Sequence, residues 1–206
     1  PKVLSERTTQ ANANLPSPPA AAPNSYQPLE RGKWFEGEIS PGQVNSYRIQ
    51  ASGGQYFSIE VEHWGPDLAG AIFDPTGQSI IDFSCNRDDV TARSVITNAG
   101  GEYTLTLHPS GDSLAAGRYE VRLREIRPKE ETDKKRTIEE KALADGEQLR
   151  RDLKKESNQQ ALEKYREALA GARIIPDGVG EANALKNLGK TYEALNQNGE
   201  ALENYN

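Results

Sequence analysis

One cysteine, Cys85, and two histidines, His63 and His108, are the whole supply of residues from which this chain could build a thiolate–imidazole nucleophile. That chemistry needs a thiol whose pKa is lowered by nearby positive charge. Cys85 stands instead in Asp82-Phe83-Ser84-Cys85-Asn86-Arg87-Asp88-Asp89, where the carboxylates raise a thiol pKa and Arg87 opposes them. The residue types therefore read as a structural cysteine, and no catalytic residue is assigned. The same segment offers hard oxygen ligands to calcium in Asp82, Asn86, Asp88 and Asp89, with Asp67 or Asp74 as additions. An EF-hand loop needs its glycine and terminal glutamate in register, and neither falls there. An acidic, solvated hairpin loop is the expectation, with no metal or cofactor. Trp34 and Trp64 fall out of phase with their inward-facing neighbours. Either ring could stack on a carbohydrate; the favoured expectation for Trp64 is packing against the helix that follows.

The elements that must carry these residues show in the spacing of apolar positions. Phe57, Ile59 and Val61 alternate with polar residues, as do Tyr103, Leu105 and Leu107, and Tyr119, Val121 and Leu123. A period of two marks half-buried antiparallel strands. Turn signals separate them: Ser40-Pro41-Gly42, Ser52-Gly53-Gly54, Asp74-Pro75-Thr76-Gly77 and Pro109-Ser110-Gly111-Asp112. The third has Asp, Pro and Gly where a type I turn prefers them. Seven or eight such strands predict a β-sandwich over residues 29–127. Ahead of it, residues 1–28 are rich in Pro, Ala, Ser and Asn and read as a flexible leader. Past Pro128 the composition turns to Glu, Lys, Arg, Ala and Leu, with Glu130 and Lys134, and Glu131 and Lys135, at helical spacing. A long charged helix is expected over 128–157, its charges on a solvated face.

Composition narrows the function classes. With 206 residues, 35% hydrophobic, and a mean hydropathy of −0.78, the chain suits one or two small domains. A formal charge of −6 gives no electrostatic reason to bind nucleic acid or an anionic membrane. No apolar run approaches the roughly 20 residues that span a bilayer. A single cysteine excludes an internal disulfide framework and a multi-cysteine zinc site. The chain starts at Pro1 and contains no methionine, so it is expected to be processed or a fragment. The leader suits a segment left by a removed export signal, which predicts an extracytoplasmic location: periplasmic, cell surface or secreted.

Ala161–Leu169, ALEKYREAL, is echoed by ALENYN at Ala201–Asn206, a repeat of 40 residues. Upstream of the second copy lies Leu185-Lys186-Asn187-Leu188-Gly189-Lys190-Thr191-Tyr192. This pattern resembles the tetratricopeptide repeat, a pair of antiparallel helices packed through small and large positions. The resemblance makes Gly189 and Ala201 the small contacts and Leu185, Leu188, Tyr192 and Tyr205 the large ones. The common period is 34, so the additional residues are placed near Ile174–Gly180. Aligned by 40, Gly189 falls on Leu149 and Tyr192 on Asp152. The earlier copy thus looks degenerate, with a capping first helix from about Thr132 to Lys155 and truncated repeats over 158–206. The resemblance also implies a peptide-binding concave face, and Asn183, Lys186, Asn187 and Lys190 lie on the side of the first helix away from Leu185, Leu188 and Tyr192. Repeats cannot bury their apolar faces alone, and the chain ends inside a second helix. It is expected to continue or to dock on a partner, as a homo- or hetero-oligomer.

The strand segment has a resemblance of its own. Gly42–Ile49, the hairpin Ile72–Gln78, and the closing strands Gly101–Leu107 and Gly117–Leu123 come in an order similar to the bacterial pre-peptidase C-terminal domain, a small sandwich appended to exported proteins. Such a sandwich followed by tetratricopeptide-type repeats resembles the front half of a bacterial family in which a caspase-like CHAT peptidase domain follows the repeats, and whose catalytic dyad lies in that later domain. The expected function is a non-enzymatic protein-interaction scaffold or accessory subunit of an exported assembly. The alternatives are the targeting or regulatory part of a CHAT-type peptidase, and a calcium- or carbohydrate-binding module.

Overall fold

A computed structural model describes residues 26–85, 90–110, 115–175 and 177–206. Most of the leader, the loop residues Asn86, Arg87, Asp88 and Asp89 of the calcium reading, and the tip of the last predicted turn lie outside the described residues.

Among the described residues nine strands, rather than seven or eight, form the first half. They are β1 (Tyr26–Pro28), β2 (Trp34–Ile39), β3 (Asn45–Ala51), β4 (Gln55–Trp64), β5 (Leu68–Phe73), β6 (Ser79–Cys85), β7 (Thr91–Ile96), β8 (Gly101–Pro109) and β9 (Gly117–Pro128). One sheet has the order β1-β3-β8-β5-β6 and the other β2-β9-β4-β7. Neighbouring strands run antiparallel except β1, which adds to β3 in parallel and makes the first sheet mixed. The three alternating sets read from the sequence are the inward rows: Phe57, Ile59, Val61, Leu105, Leu107 and Val121 are fully buried. Each such side chain contributes about 1.5–3 kcal/mol relative to exposure, so the alternation is what holds the sheets together. Tyr47 and Tyr119 meet between them, hydroxyl to hydroxyl at 2.5 Å, and Asn45 donates to the Tyr119 oxygen at 2.7 Å. The pair is satisfied without water, and Gly37, opposite Tyr119 in register, leaves room for the ring. The predicted Asp74 turn forms with Gly77 at φ +85°. There the Asp74 carboxylate accepts from the backbone N–H groups of Thr76 and Gln78.

Among the described residues four helices follow: α1 (Glu131–Arg150), α2 (Lys155–Ile174), α3 (Gly178–Ala194) and α4 (Asn198–Tyr205). The turn from β9 into α1 is fixed by Arg127, whose two terminal nitrogens donate to the buried Asp133 carboxylate at 2.7 and 2.8 Å while the guanidinium lies over the Tyr56 ring. Asp133 also accepts from the Glu130 backbone N–H, closing the first turn. So anchored, α1 runs along the edge strands β6 and β7, one from each sheet. Ala144 enters the sandwich core. Glu140 accepts from the backbone N–H and the hydroxyl of Ser94 on β7 at 2.5 and 2.6 Å. An exposed strand edge templates association, and α1 occupies part of this one. The expectation of a solvated charged face is thus corrected for the stripe bearing Asp133, Glu140 and Glu147, which docks on the sandwich.

The adjoining stripe of α1 packs on α2 and α3 through Ala142, Leu143, Ala161, Leu162, Tyr165, Ala168, Ala184 and Leu188. Tyr165 lies against Gly146 as Tyr205 lies against Gly189. The structural counterpart of Gly189 is therefore Gly146, not Leu149. Three more residues separate Gly146 from Tyr165 than separate Gly189 from Tyr205, so a fixed 40-residue offset misaligns the first helices while aligning the second ones.

Candidate functional site

The candidate site builds up from the start of α3. Asp177 caps that helix, accepting from the N–H groups of Val179 and Gly180 at 3.1 and 3.0 Å, and Arg136 of α1 pairs with the same carboxylate. This double use of Asp177 ties the orientation of α3 to α1. Asn183, Lys186, Asn187 and Lys190 then follow at helical spacing on one stripe. The stripe does not face open solvent throughout. Asn187 is 3% exposed and donates from Nδ2 to the Asn183 carbonyl at 3.0 Å; Asn183, Lys186 and Lys190 are half-buried. Opposite Asn183, Lys186 and Asn187 stand Thr91 and Arg93 of β7 and Leu143 and Glu147 of α1, with a pocket of about 20 Å³ between. Three of the four residues of the predicted face therefore line one wall of a small cleft whose other wall is β7 at the sandwich edge together with α1, and Asn187 is the buried member of the stripe.

Arg93 dominates that second wall. It sits at an inward position of β7, between the buried Thr91 and Val95, and its guanidinium passes the Phe83 ring at 5.5 Å to reach Glu147 at 2.8 Å. A second nitrogen donates to the Ala92 carbonyl at 2.8 Å. The neighbouring Glu140 carboxyl is pushed up to about 7 by burial, against the pull of Ser94 and Arg93. Glu139, on the other side of α1, is pushed up to about 7 by burial and then by Asp177 and Glu140. Arg93 and Glu147 were not among the sequence candidates. The signal was a charged residue in phase with the apolar members of the strand Thr91–Ile96.

The packing residues Leu188, Gly189 and Ala201 are buried. Leu185 and Tyr192 are half-buried, and the Tyr192 hydroxyl accepts from Arg166 at 2.6 Å. Tyr205 remains 45% exposed. The nucleophile residues are dispersed. Cys85 is fully buried and its thiol is pushed up to about 12 by burial. Cys85 pairs with Leu68, whereas His108 pairs with the next residue, Ala69, and so projects to the opposite face of the sheet. His63 is buried on the other sheet, with no hydrogen-bond partner for either ring nitrogen among the described residues. Of the calcium set, Asp82 accepts from the Ser79 hydroxyl, Asp74 is used by its turn, and Asn86, Asp88 and Asp89 lie outside the described residues. The Asp67 carbonyl accepts from the Ser110 backbone. Among the described residues no group of three potential ligands could hold a metal ion.

Trp34 lies under the Arg122 guanidinium at 4.3 Å. Trp64 is 51% exposed and not packed against α1. The reason is topological: β9 leads into α1 from Pro128, which pairs with Gln55, while Trp64 at the opposite end of β4 pairs with Arg118. Trp64 instead borders a concavity of about 500 Å³ shared with Glu36, Glu38, Arg118 and Glu120.

With this geometry in view, the comparisons with known proteins fall on two parts of the chain. Residues 153–206 match the tetratricopeptide repeat family model. This segment covers α2, α3 and α4, so the Asn183–Lys190 stripe lies inside it, and α1 stands ahead of α2 as α3 stands ahead of α4. The sandwich is similar to the pre-peptidase C-terminal domain of a collagenase from Bacillus anthracis, with 13% identity over 50% of this chain and 99% of that one, at a TM-score of 0.41. It is also similar to PliG of Aeromonas hydrophila, a periplasmic inhibitor of g-type lysozyme, with 16% identity over 48% of this chain and 96% of that one, at a TM-score of 0.37. No curated protein matches the chain. Among the described residues no helix is long and apolar enough to cross a membrane.

Proposed function

We propose that the chain is a non-enzymatic scaffold of an exported assembly, which holds a partner protein in the cleft beside α3. The observation that carries this reading is the stripe Asn183, Lys186, Asn187 and Lys190, which sits in the repeat-matched segment and whose first three members border a small cleft. Amide and ammonium groups on a rigid helix suit an extended peptide, whose backbone and carboxylates they can bind at little conformational cost. The burial of Cys85 and its separation from His108 support a role without covalent chemistry. The extracytoplasmic location rests on the leader's composition, and the order of sandwich before repeats supports an extension in which a CHAT-type peptidase is the domain served. The test is crosslinking from a photoreactive residue at position 183 in the native host. Crosslinks to a protein that vanish in the Lys186→Glu/Lys190→Glu variant are expected; identical crosslinks in both proteins would remove the stripe from the binding site.

A second reading belongs to Trp64, because a half-exposed indole beside a polar concavity is the usual platform for a sugar ring. Glycan-array binding that is lost in Trp64→Ala and retained in Lys186→Glu would establish it as a separate function. Absence of glycan binding by the native chain would end it.

A further inference from the structure

The outer face of the sheet β2-β9-β4-β7 carries three rows of side chains that the strand register sets side by side. Trp34, Arg122 and Glu60 form one row and Glu38, Arg118 and Trp64 another, with Glu36, Glu120 and Glu62 between them. The first row is closed. Arg122 lies over the Trp34 ring at 4.3 Å and donates from Nε to Glu60 at 2.7 Å, and Arg124 reaches the same carboxylate at 3.1 Å. The other two rows are open. Among the described residues no cation lies over the Trp64 ring, and Arg118, Glu36, Glu38, Glu62 and Glu120 make no ion pair. Like charges directly opposite each other on paired strands are destabilising. The row of Glu36, Glu120 and Glu62 therefore carries a cost that no group among the described residues offsets.

These open rows meet at the concavity of about 500 Å³, where Glu36, Glu38 and Glu120 stand with Arg118 and Trp64. A volume of that order holds several side chains of a short segment rather than a single ion. Three carboxylates against one guanidinium select a cationic ligand. The indole, 51% exposed, selects a planar one, because a guanidinium can stack on an aromatic face and still bond a carboxylate through its edge. The closed row of the same sheet holds its own arginine in this way, between Trp34 and Glu60. We propose that the concavity docks an arginine-bearing segment of a partner protein, with a guanidinium stacked on Trp64 and paired with the carboxylates of Glu36 and Glu120. Arg118 is then a resident cation that competes with the segment. This surface belongs to the sandwich, so it does not depend on the stripe of α3. A neutral sugar ring would use Trp64 but leave the carboxylate row without a counter-charge, so the guanidinium accounts for more of the site.

The experiment follows the two indole N–H resonances by NMR in the isotopically labelled 206-residue chain. The probe is an acetylated and amidated heptapeptide of alternating alanine and arginine, compared with its lysine and glutamate counterparts and with cellopentaose. The Trp64 indole is expected to move with the arginine peptide on the same saturation curve as the Glu36 and Glu120 backbone amides, while the Trp34 indole, already covered by Arg122, stays in place. The lysine peptide is expected to bind about threefold more weakly, having no planar group to stack, and the glutamate peptide to leave the spectrum unchanged. Trp64→Ala should weaken the arginine peptide about two- to fivefold, and Arg118→Ala should strengthen it by removing the competitor. Four results overturn the proposal. Unchanged arginine-peptide affinity in Trp64→Ala would reduce the effect to general attraction by an acidic chain. Loss of that affinity in Arg118→Ala would make Arg118 the recognition group, and so point to an anionic ligand. Movement of the Trp64 indole with cellopentaose and not with the arginine peptide would assign the concavity to sugars. No movement with either probe would leave Trp64 outside any such site. The last two results come from the unmodified chain, so a variant that fails to fold does not blunt the test.

Discussion

Tyr165 packs against Gly146 so closely that a Cβ at that position would stand 2.6 Å from the ring. The contact crosses from α1 to α2 and recurs between Gly189 and Tyr205 across α3 and α4, which makes both hairpins versions of one packing unit. Gly146→Ala would gain about 1 kcal/mol of helix propensity but must displace a ring that is fully buried, an overpacking cost of about 1–3 kcal/mol. Net destabilisation is expected in urea unfolding. Gly199→Ala in α4, where a Cβ meets nothing within 4 Å, is expected to be neutral or slightly stabilising. Equal effects of the two variants would contradict the packing argument.

The buried ion pair between Arg93 and Glu147 predicts a specific pattern in a double-mutant cycle. Removing one member strands the other charge away from water, which costs about 3–5 kcal/mol, whereas replacing both with apolar residues of similar size is often far less costly. Arg93→Met and Glu147→Leu should each lower thermal stability strongly, and the double variant should recover much of the loss. Additive losses would mean that each side chain matters through other contacts.

How far the sequence foretold these features depended on the range of the interaction. Alternation placed Phe57, Leu105 and Val121 on inward rows because a strand's period is local, and Asp74 announced its own turn for the same reason. The resemblance located Gly189 and Tyr205, whose spacing lies within one hairpin. What stayed hidden was long-range. Arg93 reads as an ordinary strand arginine until α1 brings Glu147 to it, and Trp64 keeps its exposure because β4 ends far from the turn into α1. The counterpart of Gly189 fell on Leu149 rather than Gly146 because three more residues separate Gly146 from Tyr165 than Gly189 from Tyr205, which a fixed period cannot register.

Two carboxyls at the junction make stability fall as pH rises. Glu139 and Glu140 are each pushed to about 7 in the folded chain, above the ordinary value of about 4.3 in the unfolded one. The folded state therefore binds more protons between those values, so the contribution is fully present below about pH 4 and is lost as pH climbs through 7. At 1.36 kcal/mol per pKa unit the loss is at most about 4 kcal/mol per group. Asp133, held below its usual range by Arg127, acts oppositely, with stability lost only as pH falls through the acid range. The melting temperature is expected to drop between pH 5.5 and 8, and Glu139→Gln, which keeps the shape without the charge, should flatten that slope. An unchanged slope would place the titration elsewhere.

The contact of Glu140 with the Ser94 backbone carries a last expectation. Strand β7 is an edge, and α1 supplies an acceptor for one of its N–H groups and an alanine, Ala144, for the gap beside the core. A chain ending at Pro128 would lose both. Its β7 edge would then offer unpaired backbone groups above an uncovered apolar seam, the combination that templates strand addition between molecules. Light scattering should show the shortened chain self-associating with rising concentration, while the chain that retains α1 does so less. If both behave alike, the polar contacts of α1 are not what protects the edge, and its role reduces to carrying α2 and α3. If the shortened chain associates, α1 belongs to two structures at once: it completes the sandwich and is the first helix of the repeats. The cleft between β7 and α3 follows directly from that double membership, because the helix that closes the sandwich packs against both β7 and α3.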